Sequence, residues 1–158
     1  MKRGLWAGLL PYTGVILFCI ALPFIWDSGA TEILRQAVIF TIGWTGIGAG
    51  ISHIVFGRQI ASTIGFNSNS FQLEVGAAAL AMGITALIVT SYSSQYWLAI
   101  ILASSIYRFG CGFVHIRDMI KTRNFAVNNT AILGLNFIVP ACLLAGYHCV
   151  SKGAPLLQ

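Results

Sequence analysis

Residues 4–26 read GLWAGLLPYTGVILFCIALPFIW, an apolar run without a single charged side chain. A helix rises about 1.5 Å per residue, so about 20 such residues cross the hydrocarbon of a bilayer. This run is long enough, and four more segments repeat the pattern. The expectation is an all-α, polytopic transmembrane bundle with five membrane-spanning helices, over about 4–26, 33–56, 71–91, 95–118 and 130–150. The connections are short, so the whole chain reads as a single transmembrane domain. The longest, Gly57 to Ser70, is rich in Ser, Asn and Gly and reads as a loop.

Composition agrees. Of 158 residues, 57% are hydrophobic and 8% charged, with a mean hydropathy of +0.82. A soluble domain carries roughly 25% charged residues. The chain cannot dress a water-facing surface, which excludes a soluble enzyme, a nucleic-acid binder and a disordered tail. The first run exceeds the 7–15-residue core of a signal peptide, so it reads as a retained helix. Cys19, Cys111, Cys142 and Cys149 form no CxxC pair and read as small buried apolar residues.

Orientation follows from the basic residues. Lys2, Arg3, Arg58, Arg117, Lys121 and Arg123 fall on one side of a five-pass chain, and Arg35 and Lys152 on the other. Positive residues accumulate inside, so the N-terminus is expected in the cytoplasm and the C-terminus outside, in a cell inner membrane. Trp26, Tyr92, Tyr96 and Trp97 then read as an outer interfacial belt.

Small residues mark where membrane helices meet. Gly43, Gly46, Gly50, His53 and Gly57 recur at spacings of three and four on the second segment. Gly46 and Gly50 make a GxxxG pair, and Gly110 and Gly112 are the packing candidates of the fourth segment. On the third, Glu74 shares a stripe with Ala77, Ala78, Ala81 and Thr85. On the fourth, Arg108, Cys111, Gly112 and His115 share one. A faint repeat relates GAGISHI at 48–54 to GCGFVHI at 110–116, and the same offset pairs Glu74 with Asn136.

His53, Glu74 and His115 all fall near the cytoplasmic ends of their segments. Arg108 lies two turns deeper and can reach back along its stem. Asn136 and Gln72 can complete a polar ring. An ionisable group inside a bilayer costs at least about 2.5–3.5 kcal/mol, which makes this cluster a ligand-site candidate unless Glu74 and Arg108 merely neutralise each other. If a cofactor is present, two histidines and a carboxylate (His53, His115, Glu74) suit a divalent metal, and two histidines suit haem iron.

From Ile64 to Pro140 the chain resembles an uncharacterised family of small bacterial multi-span membrane proteins. The resemblance is carried by Ile64-Gly65, by Phe71-Gln72-Leu73-Glu74-Val75-Gly76, by Gly83 and Trp97, and by Gly110, His115-Ile116, Asn124, Asn129 and Pro140. It implies a multi-span bundle and no particular activity. Three functional classes stand in order. The first is an accessory or assembly subunit of a larger membrane complex, with a membrane-protein partner or a second copy docked on its glycine stripes. The second is a small-solute transporter or channel using the polar cluster. The third is a haem- or metal-binding redox protein.

Overall fold

The computed structural model describes residues 2–153; the side chains of residues 2–5, Val89 and Ser94 lie outside that description, among them Lys2 and Arg3 of the charge count. The described residues are helical, with no strand among them. Five helices are long and apolar enough to cross a membrane. They are α1 (Trp6–Ser28), α2 (Ala30–Val55), α4 (Phe71–Val89), α5 (Ser94–Thr122) and α6 (Val127–Gly153). A sixth helix, α3 (Gly57–Ile64), lies between α2 and α4 where the sequence reads as a loop. Its Ser and Thr side chains bond to carbonyls three residues back (Ser62 to Gln59, 2.7 Å; Thr63 to Ile60, 2.8 Å), while Ile60 and Ala61 are buried. Gly65 ends it at φ +72°, where Phe66 N–H reaches the Ala61 carbonyl at 2.9 Å. That left-handed cap is the conformation glycine tolerates best.

Successive long helices run antiparallel. The N-terminal turn packs on α3, and α3 packs on the start of α6. At the other end the start of α2 packs on the end of α6. An apolar core fills that end, with Leu34, Val38, Ile42, Ala86, Trp97, Ile101, Leu135, Val139 and Leu143 in one cluster. Trp97 therefore belongs to the core at 6% exposure, not to the interfacial belt. Trp26, Tyr92 and Tyr96 are exposed, and the two tyrosine rings lie 5.5 Å apart.

The α2–α4 seam is glycine on glycine. A methyl at Gly46 would lie 2.7 Å from the Ala79 carbonyl and 2.8 Å from the Gly83 Cα. One at Gly50 would lie 2.9 Å from Leu80 Cβ, and one at Gly76 would lie 3.0 Å from His53 Cβ. The other side of α2 meets α1 as closely: Gly48 faces the Leu10 carbonyl, and Ser52 Oγ donates to the Ala7 carbonyl at 2.9 Å. Gly112 sits under the Phe137 ring.

Three expectations need correction. The packed face of α4 carries Gly76, Ala79, Gly83 and Ala86, whereas Glu74, Ala77, Ala81 and Thr85 are exposed. Small residues occur all round this helix, so composition could not choose the stripe. Gly110 is exposed, with open space around it, and packs against nothing. The 62-residue repeat is not followed by local structure. Helices α2 and α6 each contain a π-helical stretch (Val38–Trp44 and Gly134–Ile138), and the segments the offset would pair with them are regular α-helix.

Two glycines separate seam from surface. Gly46→Ala must push backbone apart and is expected to destabilise by about 1–3 kcal/mol, the usual range for overpacking. Gly110→Ala is expected to be neutral or to stabilise by up to about 1 kcal/mol, the helix-propensity gain over glycine. Unfolding of the purified protein in detergent measures both.

Candidate functional site

The site begins with a defect in each of two helices. In α2 the Thr45 N–H bonds to the Phe40 carbonyl, five residues back. It thereby passes over Thr41, whose carbonyl it would take in an ordinary α-helix. In α6 the stretch Gly134–Ile138 is followed by the buried Pro140. A π-type bond from the Leu135 carbonyl would go to residue 140, and proline has no N–H to give. Each helix is left with an exposed acceptor inside the bundle.

Arg108 of α5 answers both. One terminal nitrogen donates to the Thr41 carbonyl at 2.7 Å and the other to the Leu135 carbonyl at 3.1 Å. The side chain is buried, at 8% exposure. A guanidinium carries five N–H groups, so three remain after these two bonds. No carboxylate reaches it. Among the described residues the one ion pair is Arg35 with Glu32, at 2.6 Å near the start of α2.

Arg108 lies in the wall of a cavity of about 600 Å³ to which every helix contributes. Such volumes take a drug-sized ligand. With Arg108, the polar part of the wall includes His53, Tyr107, Cys111, His115 and Asn136, and the rest is largely apolar. Asn136 is buried at 5% exposure, and its amide nitrogen has no hydrogen-bond partner; His53 Nδ1 is likewise buried and unpartnered. An unpaired buried polar group costs about 1–3 kcal/mol, so these are atoms that a ligand would satisfy. Tyr107 ties α5 to α4 by donating to the Val75 carbonyl at 3.2 Å.

His115 is held from behind. Asn124 Nδ2 reaches the Ile64 carbonyl at 2.8 Å and Asp118 at 2.7 Å. Asn129 Nδ2 donates to the Asn124 carbonyl at 2.7 Å, which turns its own oxygen toward His115 Nδ1 at 2.6 Å. That oxygen only accepts, so Nδ1 carries the proton and Nε2 of the neutral ring keeps its lone pair. Phe66 stacks on the ring at 5.4 Å.

The structure thus brings His53, Arg108, His115 and Asn136 to one cavity, joined by Gln72, whose amide bonds to the Gly57 carbonyl at 2.9 Å. Glu74 is exposed and does not line it, so neither the Glu74–Arg108 pair nor the His53–Glu74–His115 metal set forms. Among the described residues no three His, Cys, Asp or Glu side chains gather as a metal site would require. Sequence reasoning missed Thr41 and Leu135 because they act through their carbonyls. Pro140 was the available signal for the second. Asn129 gave no periodic signal.

An all-helical chain with five potential membrane spans and an interior cavity is the class these features define. The chain belongs to a family of unknown function, DUF6790, whose model matches residues 10–153. No curated protein and no solved structure matches it.

Asn129→Ala removes the acceptor of His115 and the donor to the loop before α6. It is expected to lower stability by about 1–3 kcal/mol, the cost of unmade buried hydrogen bonds. Thermal unfolding in detergent would read this loss, and an unchanged midpoint would mean that the network does not form.

Proposed function

We propose that this is a multi-pass protein of the bacterial inner membrane that binds and carries a small solute through a vestibule open to the cytoplasm. The observation that supports it is the cavity around Arg108, a buried cation without a carboxylate. Intramembrane charge is costly and is retained where it serves a pathway or a ligand. Toward the two ends of the bundle the vestibule is open at one and closed at the other. Exposed Asn67 and Asn69 line its α3–α4 end, whereas Ile42 and Leu135 belong both to its wall and to the apolar core that fills the opposite end. A cavity accessible from one side at a time is what alternating access requires. The mouth shares its end of the bundle with Arg58, Arg117, Lys121 and Arg123, which supports a cytoplasmic mouth and an outside C-terminus.

The reading as an accessory or assembly subunit ranks second. It rested on glycine stripes open for docking, and Gly46, Gly50 and Gly112 are occupied by neighbouring helices of the same chain. The haem or metal reading keeps His53 and His115 on the cavity wall, with no third ligand beside them among the described residues.

Cys111 lines the cavity and provides the test. With Cys19, Cys142 and Cys149 replaced by alanine, a small water-soluble methanethiosulfonate is expected to modify Cys111 in inside-out vesicles and not in intact cells. Absence of modification from either side would refute the vestibule. Modification from outside alone would reverse the orientation.

A further inference from the structure

The cavity has a second property that a water-filled funnel does not need. Gly110 lines it and is also exposed, with no atom within 4 Å of where a side chain would begin. Val114, one helical turn on, is 52% exposed, and Phe71 across the gap is 69% exposed; both are lining residues too. Between the start of α4 and the middle of α5 the cavity therefore reaches the outer surface of the bundle. On a membrane-spanning helix that surface faces acyl chains. The hydrogen bond from Tyr107 to the Val75 carbonyl closes the α4–α5 seam beside this opening.

The interior has the matching polarity. Apolar walls formed by Ala49, Ile60, Val75, Ala79 and Ile132 lead to Arg108. There three guanidinium N–H groups and the Asn136 amide have no protein partner, and no acidic side chain lines the wall. Two carbonyl dipoles orient the guanidinium without cancelling its charge. A group that satisfies this end must accept hydrogen bonds and carry negative charge, and a guanidinium matches a carboxylate in a two-point fork.

We propose that the ligand is a single-chain amphiphilic carboxylate. Its headgroup lies on Arg108 and Asn136, its chain runs along the apolar wall, and it enters from the lipid through the opening at Gly110 and Val114. This rests on the vestibule reading above and names its substrate class. Arg108 is the anion-binding residue, Asn136 completes the headgroup contacts, and Gly110 keeps the opening wide.

The test uses the full chain in nanodiscs of zwitterionic phosphatidylcholine, which supply no competing anionic lipid. Decanoate, decanol, decylammonium and the compact water-borne carboxylate benzoate are compared by the shift in unfolding midpoint and by calorimetric titration against empty nanodiscs. Decanoate is expected to stabilise the protein and to bind at least tenfold more tightly than the other three. It should also slow modification of Cys111. Gly110→Phe, placed where a side chain meets open space, should remain folded and bind decanoate at least several-fold more slowly. Arg108→Gln should lose the preference for decanoate over decanol, and Arg108→Lys should keep part of it. If Arg108→Gln does not fold, the wild-type ligand series decides alone. Equal binding of decanoate and decanol, or binding of benzoate without decanoate, would overturn the proposal. If Cys111 is modified by the water-soluble reagent while decanoate does not bind, the substrate class is wrong and the vestibule stands. If Cys111 is not modified at all, the vestibule itself fails.

Discussion

A buried guanidinium held by two backbone carbonyls organises the interior of this protein. Thr41 and Leu135 sit in π-helical stretches of α2 and α6, and Arg108 on α5 spans the gap between them. In the packed interior of a helical bundle, orphan carbonyls have no water to turn to. Arg108 supplies the missing donors, and the carbonyls supply acceptors to a cation with no carboxylate nearby. Neither half would be tolerable alone. π-Helical stretches of this kind often accompany functional sites because they redirect side chains and backbone groups. Here they widen the helices beside the cavity wall.

Close packing elsewhere makes that opening affordable. Helix α2 lies between α1 and α4 on two different small-residue faces, Gly48 and Ser52 on one and Gly46 and Gly50 on the other. The apolar cluster around Val38, Ile101 and Leu143 fills the end away from the mouth. The cavity occupies the remaining half of the bundle, where His115 is backed by the Asn129–Asn124–Asp118 chain of hydrogen bonds. Several of the residues that carry the family resemblance (Gly65, Gln72, His115, Asn124 and Asn129) meet at this end.

Hydropathy alone located the five helices long and apolar enough to cross a membrane, because long apolar runs with so little charge have few other solutions. The seam of α2 was legible because its glycines fall at spacings of three and four on one face. Helix α4 was not, because alanine and glycine surround it, and the stripe containing Glu74 looked as good as the one that packs. Helix α3 was hidden by Ser, Thr and Gly, which read as loop until their side chains are seen bonded back to the helix. His53, Arg108 and His115 could be listed from depth and face, and Asn136 as a polar residue within the last apolar segment. The partners of Arg108 could not, since carbonyls freed by an i+5 pattern leave no mark on residue identity except Pro140. A carboxylate was sought for that cation, and backbone took the role instead.

The most direct measurement of this account is solid-state NMR on the chain in lipid, with arginine side chains labelled in ¹⁵N and the Thr41 and Leu135 carbonyls and the glutamate carboxylates labelled in ¹³C. The account predicts dipolar coupling from the Arg108 terminal nitrogens to both backbone carbonyl carbons and none to Glu74. Coupling to the Glu74 carboxylate, or to neither carbonyl, would contradict it.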